Sequence, residues 1–536
     1  MKTAAAGSTL VLLTLASGQF LMTLDSSVMN VSIATVAEDV GTTVSGIQGA
    51  ITAYTLVMAT LMITGGKVGA LIGRKRAFMI GCVIYGAGSL TTALAPSLPV
   101  LLFGWSFLEG VGAALIMPAI VALVAGNFPV ERRAAAYGLV AAAGATAVAV
   151  GPLIGGFATT YFSWRWVFAG EVVIVLAILV LARRVDDSPP LTRPRIDLVG
   201  AVLSAAGLGL FVFGVLRSGV WGWISPKAGA PELFGLSPVV WLILAGLFVI
   251  WTFFRWQARL ETRGGEPLVR PSMLRSPQLT GGLWMFFFQY LVQAGVFFVV
   301  PLFLSVALGL SAFATGARLL PLSFALLLTA IGIPRFFPRI RPRLVVRLGL
   351  FSMLAGTVVL LGGLSPDAGP EIVVVPLLLI GLGIGALASQ LGAVTVSAVP
   401  DEESAEVGGL QNTVTNLGAS IGTALAGSLL IASLTSAFIV NIQANPAIPP
   451  EVKSRASTEL AGGIAFTSDA ELEAALEEAG ASTAATEAAL EANADARLDG
   501  LQSALTILAV LAVAALFFTQ GIPRSPPGSP KPAASG

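Results

Sequence analysis

The chain has no histidine among its 536 residues. That removes imidazole as a general base, a metal ligand or a proton relay, so any proton chemistry must fall to aspartate or glutamate. There is one cysteine, Cys82, so a disulfide within the chain and a thiolate metal site are both excluded. Charge is also scarce: 11% of residues are charged, against about 25% in soluble domains. The formal net charge is only +1, which argues against a nucleic-acid partner.

Apolar residues fill the space left by these absences. They make up 55% of the chain, and the mean hydropathy is +0.87. The apolar runs extend for about 20 residues without alternation, the length of a membrane-crossing helix and the wrong pattern for a barrel strand. The expected class is an all-α, polytopic membrane protein. The first run, Thr9 to Ala37, carries Leu24-Asp25-Ser-Ser-Val-Met-Asn30 at its centre. A carboxylate at that depth costs roughly 2.5–3.5 kcal/mol on insertion scales, so it is kept only where it faces water or a partner inside a bundle. Asp25 is therefore read as a proton or substrate site, the alternative being an acid that pins two helices together. Lys2, Leu10–Leu15 and Ala16-Ser-Gly18 resemble a secretory signal, but the apolar run continues past them, so an uncleaved first span is expected.

Fourteen spans are expected, centred near residues 9–34, 46–70, 77–95, 98–126, 132–160, 164–182, 198–222, 237–256, 279–307, 312–333, 344–364, 371–398, 405–438 and 501–520. Basic residues cluster in the loops of one parity: Arg74, Lys75 and Arg76; Arg132 and Arg133; Arg183, Arg184, Arg193 and Arg195; Arg255 to Arg275; Arg335 to Arg347. By the positive-inside rule those loops are cytoplasmic, as are both termini. The segment from Asn441 to Asp499 is then external. It is acidic, and Ser468-Asp-Ala-Glu471 reads as the start of a capped short helix within it; the loop is read as a solvated cap, the alternatives being a lid or a partner surface. The tail 524–536 is rich in Pro, Ser and Gly and is expected to be disordered.

Several motifs stand out. Gly66-Lys-Val-Gly-Ala70-Leu-Ile-Gly73-Arg74-Lys75-Arg76 permits a tight basic turn after span 2, suited to gating or to charge bias alone. Span 5 holds Gly138 and Gly151-Pro152-Leu-Ile-Gly155-Gly156. Small residues allow close helix approach and proline bends the helix, which fits either a moving contact or ordinary packing. Glu109 and Glu171 lie about twelve and eight residues into spans 4 and 6 from the outside, and Asp25 about sixteen into span 1. At 1.5 Å per residue all three fall in the middle or outer half of one bundle. Neighbouring acids in a low-dielectric bundle cannot all stay ionised, which suits a proton carrier. The alternative is that Glu171 meets a helix partner and one acid alone titrates.

The second half offers amides and aromatics instead: Trp284, Phe288, Gln289 and Gln293 in span 9, Asn412 and Asn416 in span 13. With Asn30 these are candidate walls of a cavity for an amphiphilic compound, or lipid-facing rings and interhelical amide bonds.

These stretches together resemble the major facilitator superfamily, specifically its fourteen-spanning drug:proton antiporters. The matching residues are Leu24 to Val31, Gly66 to Arg76, Gly138 with Gly151–Gly156, Ser163-Trp-Arg-Trp-Val-Phe168, Leu319-Leu-Pro321 and Gly409-Leu-Gln-Asn412. The resemblance implies two six-helix bundles, residues 1–184 and 276–523, with two helices inserted in 185–275 and alternating access around a midplane cavity. It departs from the pattern at three places. Ala70 stands where the family has an acid of the cytoplasmic charge network. Ser106 stands where it has an arginine linked to proton transfer, with Glu109 in place of a neighbouring glutamine. Ala147 replaces a usual glycine.

The function so implied is proton-coupled efflux of small amphiphilic drugs across the bacterial inner membrane. Asp25, Glu109 and Glu171 would handle protons, with no cofactor, no metal and a monomeric chain among membrane lipids. The alternative is export of one metabolite, lipid or self-made antibiotic with atypical or no proton coupling. A membrane transferase is the remaining class, disfavoured because the acid-rich cytoplasmic stretch Asp401-Glu-Glu403 lacks further ligands.

Overall fold

The structure is a computed structural model and describes residues 2–128, 130–187, 197–227, 229–337, 339–365, 368–400, 404–444, 466, 468–478 and 483–525. Asp401–Glu403, residues 445–465 and the tail beyond Ser525 lie outside the described residues.

The first bundle consists of α1 (Lys2–Val31), α2 (Ile33–Asp39), α3 (Val44–Ile72), α4 (Arg74–Ala93), α5 (Leu98–Leu101), α6 (Gly110–Asn127), α7 (Val130–Tyr161) and α8 (Arg165–Ala182). A π-helical segment, Leu102–Glu109, joins α5 to α6. The inserted pair is α9 (Leu198–Trp221) and α10 (Pro238–Thr262). The second bundle holds α11 (Pro277–Leu302), α12 (Ala312–Arg318), α13 (Leu320–Phe336), α14 (Pro342–Gly363), α15 (Val374–Val396), α16 (Ser404–Ala444), α17 (Asp469–Glu478) and α18 (Thr483–Phe518).

Local chemistry sets several starts. The side chains of Thr43, Asp197 and Ser276 accept hydrogen bonds from the first free N–H groups of α3, α9 and α11. Gly73 separates α3 from α4 with φ of +102°, a conformation an L side chain rarely adopts.

Among the described residues, twelve helices are long and apolar enough to cross a membrane, and the bent pair Ala142–Val148 and Val150–Tyr161 makes a thirteenth. The remaining expected span is α4, which forms as a 20-residue helix but is too polar to join that set. Its sequence opens on Arg-Lys-Arg and ends on Ser-Leu-Thr-Thr, and it packs among α6, α8 and the π-helical segment. Helix α18 begins at Thr483, inside the segment expected to be an external loop. The short helix expected after Ser468 is α17.

The bundles meet along two seams. On one, α3 runs beside α16: Gln48 Nε2 donates to the Thr423 carbonyl at 2.9 Å, and Ser420 Oγ to the Thr52 carbonyl at 3.3 Å. Further along, Lys67 Nζ lies 3.7 Å from Glu406. On the other seam, α7 meets α12 and α13, where the Phe313 N–H donates to Thr160 Oγ1 at 2.9 Å. The bend of 41° in α7 lies one turn before Pro152, as expected of proline. Pro152 has no N–H for the carbonyl of Val148, and Ser323 Oγ approaches that carbonyl at 3.5 Å from α13. Helix α9 packs against α3 and α16 and carries α10 on its other side, and Asp197 ties the pair by accepting from Trp256 Nε1 at 2.9 Å and Gln257 Nε2 at 2.7 Å.

Candidate functional site: a buried carboxylate cluster

Asp25, Glu109 and Glu171 come together inside the first bundle. Each offers a carboxylate oxygen, and those atoms lie within 4.8 Å of one another. Asp25 and Glu109 are fully buried and Glu171 is 1% exposed. Asp25 comes from α1, Glu109 from the last residue of the π-helical segment and Glu171 from α8. Helix α4 closes the cluster from the side. Its Gly88 approaches so closely that an added Cβ would lie 2.6 Å from Glu109 Cγ, so a larger residue there would push the acid away.

No lysine or arginine pairs with any of the three acids among the described residues. Their hydrogen bonds come from neutral groups. Trp105 Nε1 donates to both oxygens of Asp25, at 2.7 and 2.8 Å. Ser89 Oγ donates to Glu171 Oε2 at 3.1 Å, and Thr92 Oγ1 to Glu109 Oε1 at 3.4 Å. Glu109 Oε2, Glu171 Oε1 and the hydroxyls of Tyr54 and Tyr85 are buried without a hydrogen-bond partner. The Tyr54 ring stacks on the Trp105 indole at 5.2 Å and 12° between planes. Three carboxylates in so dry a space repel strongly unless protons or a cation neutralise them. The donor set is all oxygen, chemistry that takes protons or a hard cation.

The sequence pointed to the three acids but missed Trp105, Tyr54, Tyr85, Ser89 and Thr92. A signal was present. Trp105 precedes Glu109 by four residues, and two of the five tyrosines, Tyr54 and Tyr85, lie inside spans of the same bundle as the acids. Ser106, where the resemblance implies an arginine, donates to the Ala50 carbonyl of α3 at 2.8 Å and not to any of the three acids.

The span 5 glycines divide their work. Gly151 and Gly155 face α1, where an added Cβ would lie 2.5 Å from Ser27 Cβ and 2.9 Å from Val28 Cα, one turn from Asp25. Gly156 faces the Ala312 carbonyl across the seam, and Gly316 faces that of Pro152. Gly138 lies in the first third of α7.

The basic turn docks within its own bundle. Arg74 donates to the Ala122 carbonyl at 3.2 Å, the Lys75 N–H to Asp187 at 3.3 Å and Lys75 Nζ to the Arg183 carbonyl at 2.9 Å. Arg76 is exposed on α4, and Gly66 sits against Pro118. In the Ser163–Phe168 motif, Trp164 and Arg165 both bind Asp39 at the end of α2.

The expected cavity residues are scattered. Asn30 lines a small hollow between the bundles with Ser27, Pro152, Phe297, Pro301 and Ser323, and its amide donates back to the Ser26 carbonyl. Trp284 is 45% exposed and stacks on Phe518 of α18 at 5.1 Å, and Phe288 packs on the same ring. Gln289 is buried and Gln293 half-buried, each with an unpartnered carbonyl oxygen. Asn416 donates to the Asn412 carbonyl at 2.9 Å and faces Met62 of α3. Of the seven, Asn30, Asn412 and Asn416 lie at the seams.

Two helical bundles meeting at such seams, with an inserted pair beside one of them, form a multi-pass membrane protein. Residues 15–423 match the Major Facilitator Superfamily, and the chain belongs to that family, which makes it a transporter rather than an enzyme. It is 30% identical over 468 residues to the probable actinorhodin transporter of Streptomyces coelicolor, covering 84% of this chain and 75% of that one. It is 31% identical over 446 residues to a puromycin resistance protein of Streptomyces alboniger, covering 81% and 84%. Among solved structures, a bacterial homologue of the human lysosomal transporter Spinster, inward-facing and unoccupied, shares the fold at a TM-score of 0.61 and 14% identity, covering 96% and 98%. A D-xylose–proton symporter does so at 0.54 and 14%, covering 78% and 90%.

Proposed function

We propose that this chain is a proton-coupled exporter of small amphiphilic compounds, with its termini on the cytoplasmic side of a bacterial inner membrane. The observation that carries the coupling is the carboxylate cluster: three buried acids within 4.8 Å and no basic partner among the described residues. Such a group must exchange charge with its surroundings to be stable in both access states. Asp25 is the first proton acceptor, with Glu109 and Glu171 sharing the charge. Protonation favours one access state and substrate the other, so the two exchange. The names of the relatives, an antibiotic transporter and an antibiotic resistance protein, support export as the direction. They equally support a second reading, export of one self-made antibiotic, because both come from Streptomyces.

The test is substrate-induced proton release from purified protein in detergent, with ethidium and puromycin as probes and Asp25→Asn and Glu109→Gln beside the parent. Release that disappears in Asp25→Asn supports the proposal. Binding of either probe without release, in the parent, rejects proton coupling.

A further inference from the structure

We propose that Trp105 is a positioning residue that carries the charge state of Asp25 to α3, and through α3 to the seam with α16. The inference rests on the proton reading given above. Both oxygens of Asp25 accept from one indole N–H, at 2.7 and 2.8 Å. A carboxylate can accept in this bifurcated way. Once Asp25 takes a proton, one of its oxygens becomes a hydroxyl that needs an acceptor of its own, and the N–H keeps a single acceptor. The unpartnered oxygens of Glu109, Glu171, Tyr54 and Tyr85 are the groups at hand to receive that hydroxyl. They are also the titratable groups facing Asp25, from the π-helical segment, α8, α3 and α4. Helix α7 meets α1 there with glycine and alanine.

The indole cannot turn alone. It lies flat on the Tyr54 ring at 5.2 Å, and the next residue, Ser106, is bonded to the Ala50 carbonyl at 2.8 Å. Two adjacent residues of the segment therefore grip α3 one turn apart. Between and just before those two points, α3 carries Gln48 and Thr52, which bond to the Thr423 carbonyl and to Ser420 of α16. The gripping segment is π-helical, a conformation that departs locally from the α-helical bonding around it and is frequent at functional sites. Loss of one N–H···O contact at Asp25 thus has a short, wholly buried route to the bundle seam.

The test needs no substrate and uses the purified full-length chain in detergent. Tryptophan emission is recorded from pH 5 to 8.5 for the parent, Trp105→Phe and Asp25→Asn. The parent minus Trp105→Phe difference spectrum is expected to change with pH, and that change is expected to vanish in Asp25→Asn. In a Cys82→Ser background, a Met62→Cys, Asn416→Cys pair reports the seam, because these side chains meet across it without belonging to the route. The ratio of oxidative cross-linking rates at pH 8 and pH 6 is expected to differ at least threefold between the parent and Trp105→Phe, and to be the same in Trp105→Phe as in Asp25→Asn. Tyr54→Leu, which keeps the indole and removes its stacking surface, is expected to match them; Tyr54→Phe is expected to match the parent. A Trp105→Phe protein with the parent's ratio, or a difference spectrum independent of pH, overturns the inference while leaving Asp25 as the proton site. Asp25→Asn with the parent's ratio overturns both readings. Should Trp105→Phe fail to fold, the Tyr54 pair decides the question alone.

Discussion

Gly156 of α7 lies directly against the carbonyl of Ala312 at the start of α12, so that any side chain at 156 would overlap the partner bundle's backbone. Gly316, one turn along α12, makes the reciprocal approach to the Pro152 carbonyl. The α7–α12 seam thus closes only because both helices lack side chains where they cross. Gly156→Val is expected to hold it apart, costing roughly 1–3 kcal/mol of stability in the closed form. Labelling of Ser323→Cys by a maleimide in detergent, with Cys82 replaced by Ser, should rise several-fold over the Gly156 parent. Unchanged labelling would show that the seam absorbs the bulk elsewhere.

The acid cluster yields a graded series. Asp25 is the acid that accepts both bonds from Trp105, whereas Glu109 and Glu171 each keep an unpartnered oxygen. Asp25→Asn should reduce uphill ethidium transport to the level of protein-free liposomes. Glu171→Gln should leave about a tenth or more of the parental rate, because Ser89 still has an amide oxygen to bond. Equal loss in the two variants would mean that the acids act as one unit.

At the other end of the α3–α16 seam, Lys67 and Arg270 lie 3.7 and 3.8 Å from Glu406. Lys67 and Glu406 are 17% and 20% exposed and Arg270 is 44%, and at such separations partly solvated pairs contribute about 0.2–1 kcal/mol. Glu406→Gln should therefore shift the transport rate by a few-fold at most, and less at high salt. The exchange Lys67→Glu with Glu406→Lys should recover part of what Lys67→Glu alone loses. No recovery in the exchange variant would assign the effect to Arg270.

Arg497 is 3% exposed and binds Asp469 at 2.6 Å, tying α17 to α18. Arg497→Ala should raise amide exchange in 469–478 by an order of magnitude and leave α11 unchanged. Asp469→Asn should raise it at least as much, because it takes the carboxylate away from the buried Arg497 charge, and a buried charge is the costlier one to leave uncompensated. Protection of α17 unaltered in both variants would remove this tie from the account.

Much of the site was legible in the chain. A lone acid in a long apolar run announces itself by its cost, and Glu109 and Glu171 follow from depth along helices of known rise. The partner of Asp25 was only faintly legible: Trp105 stands four residues before Glu109, but its N–H has no acceptor until the helices place it beside one. The aromatic cavity wall expected at Trp284 and Phe288 shows the same limit from the other side. Both rings pack on Phe518 of α18, more than two hundred residues away, and nothing local distinguishes that contact from a cavity face.

The sequence by itself determined the membrane class, the approximate positions of the spans, the family motifs and the absence of histidine. Those are local sums of hydropathy and charge, and they survive whatever the helices do next. Only the tertiary structure decided that three acids share one point, that Trp105 holds Asp25, and that Gly151 and Gly155 pack within a bundle while Gly156 meets the other. A helix apolar on nearly every side has no face that its own sequence can assign to the interior. Its rotation about its axis is fixed by which neighbours its small residues admit, and that is settled only when all the helices pack together.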